Sequence, residues 1–284
     1  MEHFDILIIG AGAAGIAAAK AAFEAGCRSI AVADRKTAMG GVLLQCAHRG
    51  FGPELTGPEY TMQLLDGFPE AVVFFPETTV VSLDENKTAV LDSGKILSFQ
   101  ELILATGCRE IPMGALPIAG TRPKGIYTAG QMQEMMNLHG HVPQGPAVIL
   151  GSGDLGLVMA KQLAQAGIAV TLVEQKPHCG GMVRNRRCLR EYPIKLICNA
   201  TVTEVYGERE LTGCCVAGQV RLPCRTLLIA AGLRPERQLI RDLEQMPWLQ
   251  LCGNCNGVHP MVESVINEGK RTGITAWERI RGRV

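Results

Sequence analysis

Residues Phe4 to Asp34 read FDILIIGAGAAGIAAAKAAFEAGCRSIAVAD, and this stretch decides the fold. Phe4 to Ile9 is a short, mainly apolar run fit for a buried parallel strand. Gly10-Ala-Gly12-Ala-Ala-Gly15 follows, then an Ala-rich helical stretch to Ala25 with Gly26 as its stop. A second strand, Ser29 to Ala33, ends in Asp34. The unit then recurs: Ala147 to Leu150, Gly151-Ser-Gly153-Asp-Leu-Gly156, a helix to Ala166 stopped by Gly167, and a strand from Ala169 to Val173 ending in Glu174. The acid falls 24 positions after the first glycine in one copy (34 − 10) and 23 in the other (174 − 151).

Each part has a physical role. The first glycine permits a tight turn out of the strand, the second lets backbone approach a pyrophosphate, and the third lets helix pack closely on strand. The helix N-terminus offers unpaired N–H groups and partial positive charge to phosphates. An acid at the end of the second strand accepts hydrogen bonds from a ribose diol. One such glycine pattern is a weak signal, but two in strand–helix–strand context with a spaced acid point to two dinucleotide sites. Gly10, Gly12, Gly15 and Asp34 form one expected site, and Gly151, Gly153, Asp154, Gly156 and Glu174 the other.

Composition agrees. A chain of 284 residues allows about two domains. Hydrophobic residues make up 47% and charged residues 19%, which supplies a core and excludes disorder. Net charge is +1, so no global field draws the chain to nucleic acid or anionic membrane. The longest uncharged stretch, Ile6 to Ala19, is too short to span a bilayer, and Glu2, His3 and Asp5 stand where a signal peptide would be basic. Eleven cysteines in irregular spacing fit a reducing compartment, so a cytoplasmic protein is expected, without a metal site.

Between the copies, Val72 to Phe75, Val80 to Leu83, Thr88 to Leu91 and Ile96 to Phe99 read as a small antiparallel meander, and Glu101 to Ala105 as a separate strand closed by Thr106-Gly107. After the second copy, Thr201 to Val205, Cys214 to Ala217 and Val220 to Leu222 read as another meander. Thr226 to Ala231 is then a strand that ends in Gly232. The Pro- and Gly-dotted region Arg109 to Gln144 reads as a connection. A short strand near Leu249 to Cys252 and a helix from about Pro260 to Arg281 complete the pattern.

The order of motifs resembles the pyridine-nucleotide–disulfide oxidoreductase superfamily: Gly10 to Gly15, ATG at Ala105 to Gly107, Gly151 to Gly156 and AAGLRP at Ala230 to Pro235. The resemblance implies an α/β fold of two Rossmann-like three-layer nucleotide-binding domains, the NAD(P) domain (109–224) inserted in a discontinuous FAD domain (1–108 and 225–284). It implies FAD contacts from Ala13, Ala14, Arg35, Gly41, Val42, Leu43, Ala105, Thr106 and Gly107. Further contacts fall at Gly253 and Asn254, where relatives carry Gly-Asp, and at Met261 on the last helix start. Gly232 closes the NAD(P) side. The layout is closer to thioredoxin reductase, since no C-terminal dimerisation domain follows; self-association stays open.

The redox CxxC of thioredoxin reductases is absent from Asn137 to Gln144, and Phe51 stands where a CxxxxC pair beginning at Cys46 would place its second thiol. Cys46 is the one weak catalytic candidate, against a bland reading as a small buried thiol. Cys252 and Cys255 are the only CxxC. GGVLLQCAHRGFG (Gly40 to Gly52) and GTRPKGIYTAGQMQ (Gly120 to Gln133) resemble subunits of multi-component glycerol-3-phosphate, opine and imino-acid dehydrogenases. The expectation is therefore hydride exchange between NAD(P)H and FAD, in a chain that passes electrons to or from a partner dehydrogenase subunit. Two alternatives remain: a dithiol reductase using Cys252 and Cys255, or a flavin-binding interaction subunit with little turnover. A carboxylate at Glu174 repels a 2′-phosphate, which favours NADH over NADPH. The basic run Arg184, Arg186, Arg187 and Arg190 reads as a solvated helix face, with a docking surface or an adenylate contact as the other readings.

Overall fold

A glycine turn can present its backbone only if the strand before it is held on both sides. The strand Glu2–Ile9 meets this condition, lying parallel to Ile30–Ala33 on one flank and to Ile96–Leu104 on the other. Val73–Phe75 extends the sheet beyond Ile30–Ala33, also in parallel, and Leu249–Leu251 pairs in parallel with Leu102 to Leu104. Thr88–Leu91 and Val80–Leu83 complete it as an antiparallel ribbon. The computed structural model describes residues 1–218 and 220–282. This sheet belongs to a unit formed by Met1–Arg109 and the chain from Arg234 onward; Glu110–Leu233 form a second unit.

In the second unit Ala147–Leu150 is likewise flanked in parallel, by Val170–Val173 and Thr226–Ile229. Lys195–Ile197 and Ile126–Thr128 take the two edges. A smaller sheet joins Val220–Pro223, Gly213–Val216 and Val202–Tyr206 as an antiparallel meander, with Ala119–Gly120 added in parallel. The fold class is α/β with a Rossmann-like sheet in each unit.

Three expectations are corrected. Val73–Phe75 is no meander strand but the edge of the parallel sheet, because its apolar residues continue the layer beside Ile30–Ala33. Ile96–Phe99 and Glu101–Ala105 are one strand. Its first half alternates between exposed and buried residues, while Glu101 to Leu104 are buried throughout. The polar residues at the junction find partners: Gln100 Nε2 donates to Asp5 Oδ1 at 2.7 Å, and Gln250 Nε2 donates to Glu101 Oε2 at 2.9 Å. Finally, the region expected to connect the domains is part of the second unit's body. Ile126–Thr128 pairs with Thr226–Ile229, and Ala129 and Met132 of the helix Ala129–His139 are fully buried in its core. The return crossing therefore lies at Leu233, not at residue 224.

The helix Ala13–Glu24 is buried on nearly every side, which its alanines allow. It packs on the sheet and also against the last helix, Val262–Ile280. The two helices meet backbone to backbone. A Cβ added at Gly269 would lie 2.3 Å from Ala14 O, and one at Gly273 would lie 2.2 Å from Ala18 O. Gly269→Val and Gly273→Val should therefore each destabilise the first unit by about 1–3 kcal/mol or more through overpacking. Lys270→Ala, on the exposed side between them, should stay within about 0.5 kcal/mol. Thermal or urea unfolding followed by circular dichroism checks the contrast.

Candidate functional site

The two glycine turns agree contact for contact. Gly10 N donates to Ala33 O and Gly151 N to Val173 O, both at 2.8 Å. Gly10 and Gly151 hold φ of +107° and +105°, and an added Cβ would meet Ala105 O at 2.4 Å and Ala230 O at 2.3 Å. A Cβ at Gly15 would lie 1.9 Å from Gly10 O, and at Gly156 2.2 Å from Gly151 O. At Gly12 and Gly153, by contrast, a Cβ meets nothing within 4 Å. First and third glycines are thus demanded by the fold itself, whereas the middle one faces open space at a helix N-terminus. A backbone cradle that only a larger side chain would fill fits a pyrophosphate, and it occurs in both units.

The two acids also correspond. Asp34 Oδ2 accepts from Ala11 N at 2.6 Å and Oδ1 from Lys36 N at 2.8 Å. Glu174 Oε2 accepts from Ser152 N at 2.9 Å, and Oε1 from Lys176 N at 2.9 Å. Glu174 takes a third bond, from Ser152 Oγ at 2.5 Å. Each carboxylate thus first ties the end of its own strand to the glycine turn. With about four acceptor sites per carboxylate, Asp34 keeps two for a ligand and Glu174 one. Burial would raise Glu174, but its bonds from Ser152 and Lys176 outweigh this and hold it below the usual carboxylate range, so it stays charged.

A second pair of glycines folds back over each turn: Gly41 of the first pair is an expected FAD contact, whereas Gly180 and Gly181 were not singled out in the sequence. Gly40 N donates to Ala11 O at 2.7 Å, and a Cβ on Gly41 (φ +56°) would sit 3.0 Å from Gly12 Cα. In the other unit Gly180 N donates to Ser152 Oγ at 2.8 Å, and Gly181 has φ +65°. Both pairs begin six residues after the acid (40 − 34 and 180 − 174), and that spacing is the signal that could have found the second. Asp154 is engaged in the same closure: its Oδ1 accepts from Met182 N at 2.7 Å and Asn185 Nδ2 at 2.6 Å. Arg186 Nε donates to Gly180 O and Gly181 O at 2.9 Å, so one member of the basic run holds this loop.

Around the first turn the chain gathers most of the other expected residues. Val42 is exposed, but Leu43 points inward and is buried. Arg35 is exposed, and Ala13 and Ala14 form the first helical turn. Ala105 N donates to Ile9 O, and Thr106 Oγ1 donates to Glu236 O at 2.7 Å. Gly107 (φ +73°) has open space at its Cβ position. Gly253 (φ +72°) is pressed against this turn, since an added Cβ would lie 2.7 Å from Ala14 Cβ. Asn254 Oδ1 accepts from His259 N at 2.9 Å. Met261 is the exposed N-cap of the last helix. In the second unit Gly232 (φ +117°) is exposed, and its carbonyl accepts from Ile111 N.

The cysteine candidates fare less well. Burial pushes the Cys46 thiol up to about 12, and Cys46 Sγ donates to Val42 O at 3.3 Å, so at neutral pH it is an unreactive thiol. Cys252 and Cys255 do not form a working pair. Both are fully buried, both are free, and burial raises both. Cys252 packs in the core beneath the Ala13–Glu24 helix, whereas Cys255 packs in the core on the other face of the sheet. Cys255 Sγ donates to Leu104 O at 3.0 Å. Among the described residues no group of three or more His, Cys, Asp or Glu is placed to hold a metal ion, and no helix is long and apolar enough to cross a membrane.

The model of the pyridine nucleotide-disulphide oxidoreductase family matches residues 4–248. The chain belongs to that family. It is thereby an oxidoreductase chain of a family whose fold binds FAD and pyridine nucleotide. An opine oxidase subunit of Agrobacterium tumefaciens (strain Ach5) is 31% identical over 275 residues, which cover 84% of this chain and 54% of that protein. The corresponding opine oxidase subunit of Rhizobium meliloti is 29% identical over 276 residues, covering 84% and 52%. The chain thus spans about half the length of these relatives. Among solved structures, thioredoxin reductase of T. acidophilum superposes with a TM-score of 0.82 at 19% identity, covering 98% of this chain and 99% of that one. That likeness is one of fold.

The glycine geometry separates two kinds of variant. Gly12→Val, at φ −78° with room for its side chain, should leave a folded protein that has lost cofactor, seen as a normal far-ultraviolet spectrum without flavin absorbance. Gly15→Val should instead fail to fold, because its Cβ would overlap the Gly10 carbonyl. Full flavin content in folded Gly12→Val would contradict the cradle.

Proposed function

We propose that the first unit holds FAD, that the second holds NAD(H), and that the chain exchanges electrons with a dehydrogenase partner subunit. The observation that carries this reading is the duplicated turn, closed at its first and third glycines and open at its second, with a helix N-terminus behind each. When bound, FAD supplies the two-electron centre that takes a hydride from, or returns one to, the nicotinamide. The chain's own residues bind and orient. Gly12 and the N–H groups that open the Ala13–Glu24 helix face the pyrophosphate, as the helix dipole favours. Asp34 offers its two remaining acceptor sites to the adenosine ribose, and Asn254 offers its amide to the ribityl chain. Gly153 and Glu174 repeat the first two roles for the nicotinamide dinucleotide. No side-chain acid or base is needed for hydride exchange, so proximity and orientation are what the protein contributes.

The partner is inferred from the likeness to the two opine oxidase chains, each of which is by name a subunit. A dithiol relay through Cys252 and Cys255 is not supported, because the two sulfurs sit in separate cores. An anaerobic titration of the purified protein with NADH tests the reading directly: the flavin absorbance near its visible maximum should bleach. A protein that is colourless, or yellow but unbleached, would overturn it. In the double variant Cys252→Ala/Cys255→Ala, bleaching by NADH and turnover with a dye acceptor should persist. Loss of dye turnover with bleaching intact would move the exit route to these thiols.

Nucleotide choice follows from Glu174. Its charge opposes a 2′-phosphate, and Gln175 beside it is exposed. The variant Glu174→Gln/Gln175→Arg removes the repulsion while keeping an acceptor for Ser152. It should lower the NADH-to-NADPH ratio of kcat/KM by roughly tenfold, about 1.4 kcal/mol. Steady-state rates with both nucleotides check this, and a wild-type preference for NADPH would remove its basis.

A further inference from the structure

Glu268 lies on the last helix, outside every motif described so far, yet it is the most heavily bonded carboxylate beside the first glycine turn. Its Oε2 accepts from Gly253 N at 2.8 Å and from His259 Nε2 at 2.7 Å; its Oε1 accepts from Asn256 Nδ2 at 2.6 Å. Burial alone would raise Glu268, but the bonds from Asn256, His259 and Gly253 outweigh it and hold the carboxyl below its ordinary range. From the other side Arg237 Nε donates to Cys255 O at 2.5 Å, and its Nη2 donates to Asn256 O. A carboxylate thus gathers the donors of the 253–259 turn while a guanidinium gathers its carbonyls.

Within this clamp, His259 is held by its ring on Glu268 and by its backbone N on Asn254 Oδ1. The backbone donor settles which end of the Asn254 amide is which: the oxygen faces His259 N, so the Nδ2 donors face away from it and can serve a ligand. Gly253, next to it, is the residue that leans on Ala14 in the first helical turn.

We propose that Glu268 is a positioning residue that, with His259 and Arg237, fixes the Gly253–His259 turn so that Asn254 presents its amide donors to the flavin ribityl chain. This rests on the reading that FAD occupies the first unit. Glu268 does not touch the cofactor in this scheme; it acts through Asn254.

A double-mutant cycle on FAD affinity tests it, with folded apoprotein titrated by FAD and flavin fluorescence followed. Glu268→Ala removes three bonds to a charged acceptor and should weaken FAD binding about tenfold or more. Asn254→Ala should weaken it to a similar degree. Because the two act in series, the double variant should bind no more weakly than the worse single variant by more than about twofold. Glu268→Gln should restore most of the affinity, since Asn256 can turn its amide to accept from the new Nε2. If the Ala variant does not fold, Arg237→Ala, which frees the same turn from its carbonyl side, takes its place in the cycle with the same expected loss. Fully additive losses, or a Glu268→Ala or Arg237→Ala variant that loses thermal stability with its FAD Kd unchanged, would overturn the proposal and leave Glu268 a purely structural residue. A wild-type protein that binds no FAD would instead overturn the cofactor reading on which this one stands.

Discussion

The rest of the structure depends on one close approach, that of the Gly15 backbone to the Gly10 carbonyl. With a Cβ position 1.9 Å from that oxygen, no side chain can stand there. The helix Ala13–Glu24 can therefore start directly on top of the strand end, with its N-terminal N–H groups aimed past Gly12 into open space. Flanking strands make the approach durable: Ile9 carries Ala105 on one side and Ala33 carries Gly10 on the other. The second unit repeats the arrangement within a few tenths of an ångström. Two unrelated turns would not share the same donors, the same φ and the same forbidden Cβ positions.

Around that constraint the acids do two jobs. Asp34 and Glu174 are usually thought of as ligand acceptors, yet each is first a tie between strand end and glycine turn. The tie pre-organises the turn and orients the carboxylate, so a ligand meets acceptors that are already fixed. The diglycine pairs at 40–41 and 180–181 add a lid of backbone over each turn. At Gly41 and Gly181 the backbone is left-handed, and a Cβ on Gly41 would press on Gly12 Cα, so glycine suits the chain there.

The thiols show how position overrides composition. Eleven cysteines and membership of a family with disulphide in its name invite a dithiol mechanism. The sheet separates the one CxxC pair into its two opposite cores, and desolvation keeps Cys46, Cys252 and Cys255 protonated. A nucleophilic or redox thiol needs the thiolate and access. These three have neither. On the proposed reading the chemistry is left to the cofactors, and the chain contributes side chains that hold backbone in place, as Glu268 and Arg237 do at the 253–259 turn.

Much of this was legible in the chain itself. Gly10, Gly12, Gly15, Asp34 and their counterparts follow from local rules, because a tight strand-to-helix turn imposes its demands within thirty residues. The antiparallel ribbon at 80–99 and the meander at 202–223 were equally plain from alternation and turn residues. What the sequence could not settle was pairing at a distance. Val73–Phe75 looks like any short apolar run until Ile30–Ala33 stands beside it, and Thr226–Ile229 joins the second unit only because Ala147–Leu150 and Ile126–Thr128 flank it. Glu101 reads as the start of a strand of its own, and only the pairing with Glu2–Ile9 joins it to Ile96–Phe99, with Gln250 reaching its carboxylate from 149 residues away. Gly269, Gly273, His259 and Glu268 carry no motif, since their meaning lies in the helix they pack against and the turn they bind. Local sterics wrote the glycine turns into the sequence; the burial of one segment by a remote one decided everything that completes them.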